Sequence, residues 1–152
     1  MKSNGLDRSP IHLLHRAGQC AADIFQAEIG RDELTPRQLA VLVAVAQNEG
    51  VSQTGLVEAT GVDRSTMADL VRRLHRKGLL RRRRTKEDAR AYSVKLTDEG
   101  RKVLRVGEPI AKRVDARVLD ALPAPQRERF IGELQAIIET LESMTAQSGK
   151  RR

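Results

Sequence analysis

The 152-residue sequence is poor in cysteine and aromatic residues, with one cysteine, one tyrosine, two phenylalanines and no tryptophan. A single thiol, Cys20, excludes a disulfide within the chain and is typical of a reducing cytoplasm. No apolar run is long enough to cross a bilayer, and no signal-peptide core follows Met1. We therefore expect a cytoplasmic protein that does not enter a membrane.

The sequence also lacks the residue sets on which enzymes depend. It has no nucleophile with a partner base, no phosphate-binding glycine loop and no paired acids. Gly55, Gly61 and Gly78 fall where turns or close packing are expected. We therefore expect a protein that is not an enzyme and that needs no cofactor.

Positive charge is what the sequence has in excess. The net charge is +8 and the pI is about 10.4. Between residues 61 and 105 there are fifteen Lys and Arg against six Asp and Glu, an excess of nine positive charges. This segment accounts for the whole net charge, and its concentration predicts a polyanionic partner rather than an evenly solvated surface.

The segment from Ser52 to Arg76 predicts a helix-turn-helix. Gly61 suits the turn after the first helix, and Asp63 suits the N-cap of the second, which we call the recognition helix. Its apolar stripe is Met67, Leu70, Val71 and Leu74. Its opposite face carries groups able to bond bases or phosphates: Arg64, Ser65, Thr66, Asp69, Arg72, Arg73 and Arg76.

A β-hairpin, or wing, is predicted to follow. Leu79 and Leu80 lead into the run 81–84 of four arginines, and Tyr92, Val94 and Leu96 alternate with polar residues on the return strand. The tip is placed at Thr85 to Arg90. Because strand side chains alternate, only alternate arginines of the run can face DNA, and we select Arg82 and Arg84.

The remaining helices predict a dimer. Ser9-Pro10 begins the first helix, and Thr35, Pro36 and Gln38 form a capping box for the second. The first and last helices carry more apolar residues than the reading unit needs, and a symmetric dimer would cover them. We predict one domain, 1–152, mainly α with a small β wing. Its parts are dimerisation helices 9–30 and 123–146, a winged helix-turn-helix 35–97 and a connecting helix 97–121.

Over essentially its whole length the chain resembles the MarR family of bacterial transcription regulators. The markers are Asp63-Arg64-Ser65-Thr66, the helix exit from Leu74 to Leu80, Asp88-x-Arg90 in the wing, and Leu96-Thr97-x-x-Gly100. The resemblance implies a homodimer that binds a pseudo-palindromic operator in double-stranded DNA. Such proteins are usually repressors, and a small phenolic or other aromatic effector often releases them.

A two-fold dimer would place its recognition helices in successive major grooves about 34–36 Å apart. We predict contacts on or near bases from five of the recognition-helix residues: Arg64, Ser65, Thr66, Asp69 and Arg73. Asp69 could accept from a cytosine amino group or only pair with Arg73 on its own helix. Phosphate contacts are predicted for Ser52, Gln53 and Thr54 at the start of the preceding helix. The resemblance places Arg90 in the minor groove, with Asp88 restraining the wing.

The resemblance also places the effector between the dimerisation helices and the reading head. His15 and Arg16 on the first helix could hold the carboxylate of an aromatic acid or a phosphate of an acyl-CoA, with Cys20 one turn further on. The run Ile11 to Arg16 is similar to that of family members that regulate the degradation of aromatic acids.

Three other interpretations stay open. A metal sensor could use His12 and His15, although no further ligand follows at helical spacing except Asp23, which lies too far along. A redox sensor could use Cys20, but the relatives of that kind surround their cysteine with tyrosines, and the sequence favours a buried, inert thiol. A sequence-indifferent architectural protein would share the basic surface, but not the sensor scaffold or the uncharged Ser65-Thr66 pair.

Overall fold

The computed structural model describes residues 5–30, 34–87 and 91–149. They divide into two compact units, one ending at Val114 and one beginning at Asp115. After a short 3-10 turn, Leu6–Arg8, the elements in chain order are α1 Pro10–Ile29, α2 Pro36–Gln47, β1 Val51–Ser52, α3 Gln53–Thr60, α4 Arg64–Arg76, β2 Leu80–Arg84, β3 Tyr92–Leu96, α5 Asp98–Asp120 and α6 Ala124–Gly149. The predicted class, mainly α with a small β wing, is confirmed. None of the helices in these ranges combines the length and the apolar character that a bilayer span requires.

The helices begin where their caps predict. Ser9 Oγ accepts from the His12 amide at the start of α1. Thr35 and Gln38 bond each other's backbone amides at 3.2 and 3.1 Å, which completes the predicted capping box of α2. Each bond satisfies an amide that the first turn of a helix leaves without an intrahelical partner.

The sheet has the order β1-β3-β2 and is antiparallel throughout. The ribbon of β2 and β3 is the predicted wing, with Leu80 opposite Leu96 and Arg84 opposite Tyr92. Strand β1 was not predicted, because two residues are too few to show an alternating pattern. It pairs Val51 with Val94 and so joins the wing to the start of α3.

The core of the first unit lies between α2, α4 and the sheet. The α2 residues Val41, Leu42 and Val45 are fully buried. The predicted stripe of α4 is buried throughout: Met67, Leu70, Val71 and Leu74. This packing leaves the opposite face of α4 turned to solvent.

The junction of wing and α5 explains the Leu96-Thr97-x-x-Gly100 motif. Thr97 Oγ1 accepts from the Gly100 amide at 3.0 Å and donates to the Gly78 carbonyl at 2.5 Å. A Cβ on Gly100 would overlap the carbonyl oxygen of Leu79. The motif therefore seats the first turn of α5 directly on the exit of the recognition helix.

The second unit is mostly helix α6. Within residues 115–149, Arg127 donates to the Leu122 carbonyl at 3.1 Å and pairs with Asp120 at 3.3 Å, which fixes the turn before α6. No α6 residue is buried within the chain. Its exposed large apolar residues are Ile137, Ile138, Leu141 and Met144.

Candidate nucleic-acid interface

The exposed face of α4 carries the residues predicted to meet DNA. Arg64, Ser65 and the guanidinium groups of Arg72, Arg73 and Arg76 are all exposed. They lie on the side away from the buried stripe and cover the length of the helix. This is a cationic face with polar groups at its leading end, the composition that major-groove recognition requires.

Asp63 organises the leading end of α4. Its carboxylate accepts from the Thr66 amide at 2.9 Å, from Ser65 Oγ at 2.9 Å and from Thr66 Oγ1 at 2.7 Å. These bonds, the Thr66 amide first, lower the pKa of Asp63 to about 2. Since an ionised carboxylate only accepts, both hydroxyl protons are held by Asp63, and both hydroxyl oxygens face outward as acceptors.

Asp69 pairs with arginines of its own helix. Its carboxylate lies 3.0 Å from Arg72 Nη2 and 2.9 Å from Arg73 Nε. The hydrogen bond from Arg72, followed by the positive charge of Arg73, lowers the pKa of Asp69. Of the two roles predicted for Asp69, the intrahelical pairing is present in the structure, and contact with a cytosine stays a prediction.

The residues predicted to meet phosphates surround the start of α3. Ser52 Oγ accepts from the Gly55 amide at 3.0 Å and is the N-cap of the helix. Thr54 is exposed and Gln53 is half-buried. The hydroxyl proton of Ser52 stays available to a phosphate oxygen, because its cap bond uses the oxygen only as an acceptor.

The strand register sorts the arginine run onto two faces. Arg82 lies opposite the buried Val94 and Arg84 opposite Tyr92. Both guanidinium carbons lie over the Tyr92 ring, 5.0 and 5.9 Å from its centre. The face selected for DNA is therefore the one that continues from the core, and the stacked ring restrains both arginines. Asp88 and Arg90, the predicted wing-tip pair, lie outside the described residues.

Two residues that tie the wing in place were missed in the sequence. His75 Nδ1 donates to the Leu80 carbonyl at 3.1 Å, across the exit from α4. Glu49 accepts from the Leu96 amide at 3.2 Å and from Arg101 at 3.1 Å. The Glu49 bonds join positions 47 and 52 residues apart, and local spacing gives no signal for them.

The predicted effector residues lie on the exposed part of α1. His15, Arg16 and Cys20 are all exposed. The prediction of a buried thiol is wrong for the chain as described, because the middle of α1 is not covered by any other part of its own chain. No three His, Cys, Asp or Glu side chains within residues 5–30, 34–87 and 91–149 come together as a metal site.

A cavity of about 330 Å³ lies nearby in the same unit, between the end of α1 and the first half of α5. It is lined by Ile29, Lys102, Val103 and Val106. Its wall is apolar apart from the Lys102 ammonium, which pairs with Glu99 at 3.1 Å. The sequence analysis did not find this cavity, because no pattern shows that these positions share one space.

Comparison with known proteins follows the same line. The sequence profile of the MarR family matches residues 32–91. Transcriptional regulator HosA of Escherichia coli O157:H7 is 35% identical over 135 residues, which cover 89% of this chain and 98% of HosA.

Solved structures extend the match to the whole fold. The PcaV transcriptional regulator of Streptomyces coelicolor, in complex with its natural ligand, has a TM-score of 0.80 at 32% identity, over 91% of this chain and 98% of PcaV. BpsR of Bordetella bronchiseptica, whose DNA binding is regulated by 6-hydroxynicotinic acid, has a TM-score of 0.75 at 30% identity, over 83% of this chain and 96% of BpsR. This chain therefore belongs to the MarR family and is a winged-helix, DNA-binding transcription regulator.

Proposed function

We propose that the protein is a homodimeric repressor that binds a pseudo-palindromic operator and is released by a small aromatic acid or its CoA thioester. The observation that carries the DNA half of this proposal is the exposed cationic face of α4, led by the Asp63 network. The regulatory half draws on BpsR, a relative whose DNA binding responds to 6-hydroxynicotinic acid.

Base recognition would begin at Ser65 and Thr66. Since Asp63 holds both hydroxyl protons, the two oxygens can accept but not donate. They therefore favour bases that present an amino group in the major groove, which are cytosine and adenine. Arg64 is free to bond guanine or a phosphate, and the two arginines on Asp69 are held at a defined orientation.

The dimer would use apolar side chains that the chain itself leaves uncovered. On α1, Ile11 is 81% exposed, and Leu13 and Leu14 are also exposed. The second unit contributes the exposed apolar set of α6 given above. Large apolar side chains clustered on a helix and left in solvent are typical of a protein–protein interface.

The effector would bind in the cavity lined by Ile29, Lys102, Val103 and Val106. Its volume of about 330 Å³ and apolar wall suit an aromatic ring. Lys102 would exchange its exposed pairing with Glu99, which contributes little, for the carboxylate of the ligand. His15 and Arg16 would then meet the more distant part of a CoA thioester.

The proposal is tested by footprinting the protein on the DNA that flanks its own gene, with and without a panel of aromatic acids and their CoA thioesters. We expect protection of one inverted repeat and its loss with one member of the panel. Protection along any DNA, without symmetry, would instead indicate the architectural protein.

One variant tests the base-reading step. Asn in Asp63→Asn still caps the helix through its amide oxygen, but its amide nitrogen donates, so a neighbouring hydroxyl is released to donate. We expect the variant to lose its preference for cytosine and adenine at the bases under Ser65 and Thr66. Lys112→Gln, on the exposed side of α5, serves as the control. Unchanged base preference in Asp63→Asn would contradict the assignment.

A further inference from the structure

The outer face of the wing gathers positive charge that operator recognition by α4 does not use. Arg81, Arg83, Ser93, Lys95, Leu96 and Arg101 line a basin of about 240 Å³, which we call the outer basin. It lies on the face of the ribbon opposite Arg82, Arg84 and Tyr92, because strand side chains alternate. Its four cations come from three elements, β2, β3 and the first turn of α5.

The charges in the outer basin are not balanced within the described part of the chain. Arg101 is paired with Glu49 at 3.1 Å and with Asp98 at 3.4 Å. Arg81, Arg83 and Lys95 are exposed and make no ion pair among the described residues. Arg81 and Lys95 are direct cross-strand partners, an arrangement in which like charges destabilise a ribbon. An anion seated between them would remove that repulsion.

We propose that the outer basin binds phosphate groups. Two arginines offer planar pairs of donors that match phosphate oxygens, and Lys95 adds a mobile point charge. Glu49 holds Arg101 in position through a carboxylate that is itself anchored on the Leu96 amide. Such phosphates could belong to DNA flanking the operator or to a free phosphorylated ligand. The DNA form rests on the operator-binding function, and the free-ligand form does not.

The test compares the wild-type protein with Arg83→Gln/Lys95→Gln. Arg105→Gln/Lys112→Gln loses the same charge elsewhere and is the control. Arg83→Lys/Lys95→Arg keeps the charge of the basin and should retain binding. Removing Lys95 relieves the repulsion with Arg81, so the first variant should melt no lower than the wild type. Melting curves therefore check that each variant is folded.

Two measurements separate the sources of phosphate. Calorimetric titration with inorganic pyrophosphate detects a free-ligand site, and we expect about tenfold weaker binding in the basin variant if it exists. Operator affinity is measured against salt on a minimal duplex and on one extended by a helical turn at each end. For flanking DNA, the variant should lower the slope of log affinity against log salt by about 0.9 per lost phosphate, on the long duplex only.

Either effect, confined to the basin variant, supports the proposal and names the source. If pyrophosphate binding and both salt slopes match those of the control, the proposal is overturned. If the wild type binds no operator, the operator-binding function fails, and the pyrophosphate titration alone decides the outer basin.

Discussion

Replacing Gly100 by alanine should destabilise the protein although it removes no contact. Gly100 is buried in the first turn of α5, and a Cβ there would overlap the Leu79 carbonyl oxygen, an atom of the backbone that cannot turn aside. In an open helical position glycine to alanine gains about 1 kcal/mol. Overpacking against backbone costs about 3 kcal/mol at the upper end of its range. The net expected loss is about 2 kcal/mol.

Gly132→Ala in α6 is the matched control. A Cβ at Gly132 meets no atom of the chain within 4 Å, so only the favourable helix effect should remain, about 0.5–1 kcal/mol. Gly107→Ala should fall between the two, since its Cβ would lie 2.8 Å from the Leu39 Cδ1, the mobile end of a side chain.

The assay is thermal and urea unfolding of all three variants at one fixed protein concentration, because dimerisation links stability to concentration. At about 2–4 °C per kcal/mol for a chain of this size, Gly100→Ala should melt about 4–8 °C below the wild type. Gly132→Ala should melt slightly above it. The reasoning is refuted if Gly100→Ala is as stable as Gly132→Ala.

Three further predictions follow from the site. Since the pKa of Asp63 falls from 3.8 to about 2 on folding, its stabilising effect should be complete above about pH 4 and disappear as the pH falls through 2; carboxyl NMR titration of Asp63 checks this. His75→Ala should leave the Leu80 carbonyl without its side-chain donor and increase amide exchange in β2, with α3 unchanged as the internal control. Lys102→Gln should weaken release by an aromatic acid about tenfold while leaving effector-free operator affinity unchanged. Equal weakening of both by Lys102→Gln would argue against the cavity as the effector site.

The fold could be predicted where the determining interactions are local. Asp63 and Thr66 lie three positions apart, as do Thr35 and Gln38, so their caps can be recognised before any tertiary contact is known. The stripe of α4 is equally local, because a helix repeats every 3.6 residues. These signals predicted the helix-turn-helix and its flanking helices.

What could not be predicted depends on pairing between distant segments. Leu79 and Leu80 are adjacent and both buried, so the sequence does not show which phase of the arginine run continues the core face. Only the register with Val94 decides that Arg82 shares the core face and Arg81 faces outward. Glu49 likewise acquires a role only when β3 brings Leu96 to it.

Asp69 raises the question of why a surface proposed to bind DNA carries an acid in its middle. Its charge should repel phosphate, but its oxygens hold Arg72 and Arg73 in place. Asp69→Asn adds one net positive charge and loosens both guanidinium groups, so we expect non-specific affinity to rise and the ratio of operator to non-specific affinity to fall. Both affinities can be measured by fluorescence anisotropy at one salt concentration, with Glu58→Gln, on the exposed part of α3, as the control for added charge. If Asp69→Asn raises both affinities by the same factor, the carboxylate contributes charge alone, and orientation of the arginines is not its role.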